Sequence, residues 1–137
     1  MEECADTAAL YRGKLDWPCT AHGYAVWTLA GEALDAVDLP FGMDLPEELR
    51  LPMIEVPGDA AYWRFPVRPR RSNPPELLRE LDRHGGRYLG NGAVIELPPT
   101  RVPGGVLRWY HGTDGKLPSL MDVLATTLRS EHKSSER

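Results

Sequence analysis

The sequence has only two cysteines, Cys4 and Cys19, and neither stands at a zinc-type spacing from another cysteine or from a close pair of histidines. We therefore expect two free thiols. Long apolar runs are also missing, since no stretch approaches the roughly 20 residues that a membrane-spanning helix needs. The first residues lack the basic start and apolar stretch of a secretory signal peptide. The sequence thus predicts a cytoplasmic protein that makes no membrane contact.

An excess of positive charge is missing as well. The 137 residues carry a formal net charge of -4, which opposes a general attraction to nucleic acid or to an anionic membrane. Any contact with nucleic acid must then come from a local basic patch. Hydrophobic residues make up 42% of the chain, enough for one core. We predict one compact domain over residues 1–130 and a disordered tail over residues 131–137.

Three segments have the apolar spacing of helices. They cover residues 2–15, 75–84 and 118–130. In the second, Ser72 or Asn73 is a candidate polar cap, and Gly85 follows the expected end. The spacing of Asp44 and Glu47 resembles a capping box and predicts one or two further helical turns after Asp44.

Alternating apolar residues bounded by turn residues predict several strands. Two hairpins are expected, one over residues 24–39 and one over residues 53–67, followed by strands at 87–89, 93–97 and 106–110. Because hairpins dominate and no crossover with a glycine-rich phosphate loop occurs, the chain is predicted to be α+β. Its sheet is expected to be antiparallel or mixed, built of hairpins and covered by three to four helices.

One dense basic cluster occurs in the chain, beside aromatic residues. Its members, with one further arginine in a later loop, are our candidate nucleic-acid contacts: Trp63, Arg64, Arg68, Arg70, Arg71 and Arg101. Aromatic rings beside guanidinium groups are how proteins stack and neutralise single-stranded nucleic acid. The alternative is a solvated loop that leaves a strand. Both interpretations stay open from the sequence.

Three segments carry a family resemblance. The segment "GNGAVIELPPTRVPGGVLRW" resembles the last motif of the bifunctional primase/polymerase domain, in the archaeo-eukaryotic primase superfamily, with Pro98, Pro99 and Thr100 in the place of its Pro-Pro-Ser. Upstream, "VPGDAAYWRFPV" is similar to the second motif of that family, and "ALDAVDLP" to the strand that bears its first acidic motif. The resemblance covers residues 24–110 and implies a short, degenerate relative.

The residues at the matching positions do not fit the chemistry of that family. The resemblance implies two metal ions held by carboxylates and a histidine on the nucleotide phosphates. Asp35 and Asp38 are three apart, which on a regular strand sends them to opposite faces. Tyr62 stands where the family has its histidine, and Arg87 where it has a metal-binding acid. We therefore expect no catalytic residue, no metal site and no cofactor.

Two hypotheses remain open. The first is a non-catalytic binding or regulatory module on a degenerate primase/polymerase-like scaffold, with a protein or a nucleic acid as partner. The second is an enzyme with an unrecognised site, such as a residual nucleotidyl transferase. Two carboxylates and a basic group converging near Asp35, Tyr62 and Arg87 would favour the enzyme. In the proline- and glycine-rich corner, neither Thr100 nor Arg101 is expected to be needed for folding.

Overall fold

A computed structural model describes residues 2–41 and 49–135 of the protein, with side chains up to residue 127. Within these ranges the chain is α+β, with three helices and ten strands. The helices are α1 (Glu2–Leu15), α2 (Pro75–Arg83) and α3 (Leu120–Ser135). The strands are β1 (Thr20–His22), β2 (Ala25–Leu29), β3 (Asp35–Pro40), β4 (Met53–Val56), β5 (Tyr62–Val67), β6 (Arg87–Leu89), β7 (Val94–Leu97), β8 (Arg101–Val102), β9 (Gly105–Val106) and β10 (Arg108–His111).

The strands form three antiparallel sheets. The large sheet has the order β10-β4-β5-β3-β6, a smaller sheet has the order β1-β2-β7, and β8 pairs with β9. The hairpin predicted over residues 53–67 is confirmed, because β4 pairs with β5 and Ile54 lies opposite Arg64.

The hairpin predicted over residues 24–39 is wrong, although both of its strands exist. Strand β2 pairs with β1 and β7, whereas β3 lies in the large sheet between β5 and β6. The connection between them is buried at Leu34, and Ala30 exchanges backbone hydrogen bonds with the turn before β7. Apolar alternation identifies a strand, but the partner of that strand is chosen by packing at long range.

Alternation along β3 and β5 divides the interior into two cores. Val37 and Phe65 point to one face of the large sheet, where they pack with Leu81 of α2 and with α3. Ala36 and Ile54 belong to the core on the opposite face, which contains buried residues of α1 and the smaller sheet. Both faces of the large sheet are therefore covered. As a result, the charged side chains Asp35 and Asp38 of β3 and Arg64 of β5 are buried in the protein.

Helix α2 lies where the sequence predicts it, but its N-terminal cap differs from the predicted one. Its N-cap is Pro74, without a side-chain cap hydrogen bond, so the polar cap expected at Ser72 or Asn73 is wrong. Proline can occupy the first turn because the N–H it lacks would have no helical partner there. Gly85 after the helix end has a φ of 77°, a conformation that favours glycine.

Helix α3 buries Leu120, Val123 and Leu124, as its apolar spacing predicts. It reaches Ser135 and so enters the segment 131–137, whose disorder stays a prediction, as does the single domain over 1–130. The helix expected after Asp44 falls on residues 42–48, outside the described residues. None of the helices in the described ranges is long and apolar enough to cross a membrane.

Candidate functional site

Asp38, Tyr62 and Arg87 come together at one end of the large sheet. Strand β3 lies between β5 and β6, and the register places Asp38 opposite Arg64 on one side and opposite Arg87 on the other. Residues paired across an antiparallel sheet share a face. One carboxylate therefore meets two guanidinium groups, and we call Asp38, Tyr62, Arg64 and Arg87 the charged cluster.

Asp38 and Arg64 form the buried half of the charged cluster. Arg64 Nε donates to Asp38 Oδ1 at 2.9 Å, and Arg64 Nη2 donates to Oδ2 at 3.1 Å, with both side chains 5% exposed. Arg64 also donates to the Glu96 carbonyl of β7 and to the Tyr62 hydroxyl. Burial disfavours the charge of Arg64, but the hydrogen bonds and negative charge of Asp38 outweigh it and raise the pKa of Arg64. The Asp38–Arg64 pair is therefore a fixed ion pair that links the two larger sheets.

Arg87 is the exposed half of the charged cluster. Its Nε donates to Asp38 Oδ2 at 3.1 Å, while 62% of its side chain is exposed. The Arg87 guanidinium carbon lies 5.8 Å from the centre of the Tyr62 ring. Among the described residues, its hydrogen bond is made by Nε.

A pocket of about 270 Å³ opens beside Arg87. We call it the arginine pocket; its lining residues are Asp38, Leu39, Pro40, Ala60, Tyr62, Gly85 and Arg87. Two arginines face one aspartate at this place, and the Glu96 carboxylate adds negative charge near Arg64, which leaves Arg87 as the exposed cation of the cluster. The arrangement is suited to binding an anionic group, because a guanidinium donates two parallel hydrogen bonds to phosphate or carboxylate oxygens.

Asp35 does not join the charged cluster. Its Oδ2 accepts hydrogen bonds from the Tyr88 hydroxyl and from the Arg70 backbone N–H, so the expectation that Asp35 and Asp38 face apart is confirmed. The described part of the chain contains no group of three or more His, Cys, Asp or Glu side chains that could hold a metal ion. The convergence of two carboxylates that would favour an enzyme is not found among these residues.

The six candidate nucleic-acid contacts do not form one surface. Arg64 is buried against Asp38, because alternation on β5 sends it to the face opposite Trp63. Trp63 instead stacks on Phe41, with ring centres 4.5 Å apart, and touches Tyr110 edge-on.

Of the remaining candidates, Arg68, Arg70 and Arg71 share the loop between β5 and α2, whereas Arg101 begins β8. The Arg68 side chain, 63% exposed, lies 3.8 Å from an Asp122 carboxylate oxygen. Arg70 and Arg71 are exposed in the loop before α2. Arg101 is exposed and sits over the Tyr24 ring at 4.5 Å. A nucleic-acid role for these exposed residues stays a prediction.

The expectation that Thr100 is dispensable for folding disagrees with its surroundings. Thr100 is fully buried, its Oγ1 accepts a hydrogen bond from the Val26 N–H at 2.8 Å, and it lies 2.7 Å from the Leu97 carbonyl. The sequence shows Thr100 only as a turn residue after two prolines. Its partner Val26 lies 74 residues away, so the contact has no local signature.

Sequence reasoning also missed the charged cluster as a unit. A usable indication was present, since Asp38 and Arg64 each stand inside an otherwise apolar run, "AVDLP" and "YWRFPV". Charged residues are almost never fully buried unless they are paired. Two such residues on neighbouring strands therefore indicate an internal ion pair. Comparison with protein-family models, curated proteins and solved structures finds no match for this chain.

Proposed function

We propose that the protein is a non-catalytic binding module on a degenerate primase/polymerase-like sheet, and that it binds a phosphate group of a nucleic-acid strand or nucleotide in the arginine pocket. The observation that carries this proposal is the exposed Arg87 guanidinium, held by Asp38 and placed near the Tyr62 ring. Asp38, Tyr62 and Arg87 also stand at positions that the resemblance aligns with the motifs of that family, although Tyr62 and Arg87 replace its histidine and its metal-binding acid. A cytoplasmic location stays part of the same proposal.

The fixed position of Arg87 supports phosphate binding. A mobile arginine loses side-chain entropy when it binds an anion, whereas Arg87 is already oriented by its Nε bond to Asp38. Hydrogen bonds to ionised partners are also roughly twice as strong as neutral ones.

The same geometry supports a non-catalytic role. Two-metal phosphoryl chemistry needs carboxylates that share metal ions, and here the nearest basic groups already occupy both oxygens of Asp38. A divalent cation at this place would be repelled by two guanidinium groups. No contact of the described residues favours the residual nucleotidyl transferase over the binding module.

Binding of a labelled single-stranded oligonucleotide, measured by fluorescence anisotropy at low salt, tests the proposal. We expect Arg87→Gln to weaken binding by about tenfold or more, since a hydrogen bond to a charged group contributes about 1.5 to 3 kcal/mol. The matched control is Arg79→Gln, which removes one positive charge from the exposed surface of α2.

Three outcomes would contradict the phosphate proposal. Equal losses in Arg87→Gln and Arg79→Gln would mean that binding depends on total charge rather than on the arginine pocket. Unchanged binding in Arg87→Gln would place the ligand elsewhere. No binding by the wild-type protein would leave a protein partner as the surviving interpretation.

A further inference from the structure

Three aromatic side chains meet on the same face of the large sheet as α2 and α3. We call Phe41, Trp63 and Tyr110 the aromatic cluster. The Trp63 ring centre lies 4.5 Å from that of Phe41 and 5.0 Å from that of Tyr110. Phe41 is 38% exposed and Tyr110 is 58% exposed. The rings therefore hold one another in place and still present apolar surface to water.

The partly buried carboxylate of Glu55 lies beside the aromatic cluster. Glu55 is paired with Trp63 in the β4–β5 ladder and with Arg108 in the β10–β4 ladder. Residues paired in this way share a face and have Cβ atoms about 4.5 to 5.5 Å apart. No hydrogen bond or ion pair of the Glu55 side chain occurs among the described residues, although Arg108 lies directly across. Within the described part of the chain, Glu55 is thus a carboxylate without a counterion beside aromatic rings.

The strand that carries Tyr110 is an irregular edge. Strand β10 ends the large sheet, and a β-bulge interrupts its pairing with β4 between Trp109 and His111. A bulge re-aims a side chain, and the Tyr110 ring here reaches across β4 to Trp63 on β5. A bulge also makes an edge unsuitable for pairing with a further strand. This edge is therefore suited to binding through side chains rather than through main-chain hydrogen bonds.

We infer that the aromatic cluster and Glu55 together bind an arginine side chain of a partner protein. An apolar partner would bury the Glu55 carboxylate without a counterion, which is costly, and an acidic partner would be repelled by it. A guanidinium group suits both parts of the surface, because it stacks flat on aromatic rings and donates two parallel hydrogen bonds to a carboxylate. The formal net charge of -4 also favours a basic partner.

This site is separate from the phosphate site proposed above. Trp63 packs against the core on the α2 side of the large sheet, whereas Tyr62 of the arginine pocket packs against the core on the opposite side. The two sites also have opposite charge, since one presents Arg87 and the other Glu55. One protein could therefore hold an anionic and a cationic group at once.

An NMR titration of the isotopically labelled protein with short peptides tests the inference. The probe is a peptide of glycine and serine with one central arginine, and its two relatives carry lysine or citrulline at that position. We expect the arginine peptide to shift the Trp63 Nε1–H signal and to bind more tightly than the lysine peptide, whose ammonium group has no flat face. Citrulline has the shape of arginine without its charge, and it should bind about tenfold more weakly or less.

Variants of the site identify the groups that bind the arginine. Glu55→Gln should weaken binding of the arginine peptide about tenfold, because a charge-assisted hydrogen bond is lost. Glu32→Gln makes the same change at an exposed position in the loop after β2 and is the matched control. Tyr110→Leu keeps an apolar side chain but removes the aromatic ring, and it should weaken binding about threefold.

Arg108 provides a test in the opposite direction. It is an exposed cation directly across from Glu55, so Arg108→Gln should strengthen binding of the arginine peptide. Arg79→Gln, which removes an exposed positive charge from α2, should have a smaller effect. The dispersion of the NMR spectrum of each variant shows whether its fold is retained.

Four results would overturn the inference. They are no binding of the arginine peptide by the wild type, equal binding of the arginine and citrulline peptides, equal binding of the arginine and lysine peptides, and equal losses in Glu55→Gln and Glu32→Gln. Arg87→Gln should leave peptide binding unchanged, and Glu55→Gln should leave oligonucleotide binding unchanged. A failure of this site is therefore distinguishable from a failure of the phosphate site.

Discussion

Thr100 shows how one side chain can connect distant parts of the chain. Its hydroxyl lies within hydrogen-bond distance of the Val26 N–H, the Val26 carbonyl and the Leu97 carbonyl. All three groups are main-chain groups of β2 and β7, and the surroundings are buried. The hydroxyl therefore stabilises the place where the proline-rich corner meets the smaller sheet.

Thr100→Val tests that contact without changing the size of the side chain much. We expect the free energy of unfolding to fall by about 1 to 3 kcal/mol, because the buried Val26 N–H loses its acceptor. Urea unfolding followed by tryptophan fluorescence measures the change. Thr100→Ser keeps the hydroxyl and is the control. A Thr100→Val protein as stable as the wild type would show that the hydroxyl is not needed.

Because of Tyr11, the free energy of unfolding is expected to change with pH in the alkaline range. Its hydroxyl donates to the Pro98 carbonyl at 2.7 Å and accepts from Trp109 Nε1 at 2.9 Å. Burial raises the pKa of Tyr11 from 10.0 to about 12, against a smaller lowering effect of the Trp109 hydrogen bond. The native state therefore holds this proton through a pH range in which the unfolded chain has released it.

The free energy of unfolding should accordingly fall as the pH rises from about 10 to about 12. The contribution of Tyr11 is full below pH 10 and is lost as the pH approaches its native pKa, about 2 to 3 kcal/mol in total. Urea unfolding between pH 8 and 12 should show a smaller fall for Tyr11→Phe. Tyr88, whose pKa burial also raises to about 12, contributes equally to both proteins. Parallel pH profiles would refute a role for Tyr11.

At the scale of elements, α2 packs on the large sheet through the fully buried Leu81, with Leu77 partly buried against the same core. Leu81 is 1% exposed and packs with Val37 and Phe65 in the same core. Leu78 on the same helix is 38% exposed. The helix thus offers a matched pair of leucines.

Leu81→Ala should lower the free energy of unfolding by about 2 to 5 kcal/mol, because it removes buried methyl groups and leaves a cavity. Leu78→Ala makes the same chemical change on the same helix, and we expect it to cost less than about 1 kcal/mol. Urea unfolding of the two variants compares them directly. Similar losses at both positions would mean that α2 does not dock through Leu81.

At the scale of the whole molecule, the Asp38–Arg64 pair joins the two larger sheets. Asp38 belongs to β3 of the large sheet, and Arg64 reaches from β5 to the Glu96 carbonyl of β7 in the smaller sheet. A buried guanidinium without its carboxylate is costly, because water no longer solvates the charge. The packing of the two sheets therefore depends on the Asp38 side chain as the partner of Arg64.

Asp38→Asn should lower the free energy of unfolding by about 3 to 5 kcal/mol, since it leaves the buried Arg64 charge without a counterion. Arg87→Gln removes the exposed partner of the same carboxylate and should cost less than about 1 kcal/mol. Thermal and urea unfolding measure both variants. Equal costs would mean that water reaches the Asp38–Arg64 pair.

The amino-acid sequence by itself determined the α+β class, the β4–β5 hairpin and helix α2. Each depends on neighbours within a few residues: apolar spacing for α2, and turn residues between Val56 and Tyr62 for the hairpin. The spacing of Asp35 and Asp38 was also enough to place them on opposite faces of β3. Local patterns carry this information because backbone geometry sets the period of a helix or strand.

Only the tertiary structure decided which strands pair and which charges meet. Asp38 lies 26 residues from Arg64 and 49 residues from Arg87, and no local pattern relates such positions. The exclusion of β2 from the large sheet and the burial of Thr100 have the same origin. Contacts at this range form because covering both faces of the large sheet removes apolar surface from water, and polar groups carried inside must then find partners there.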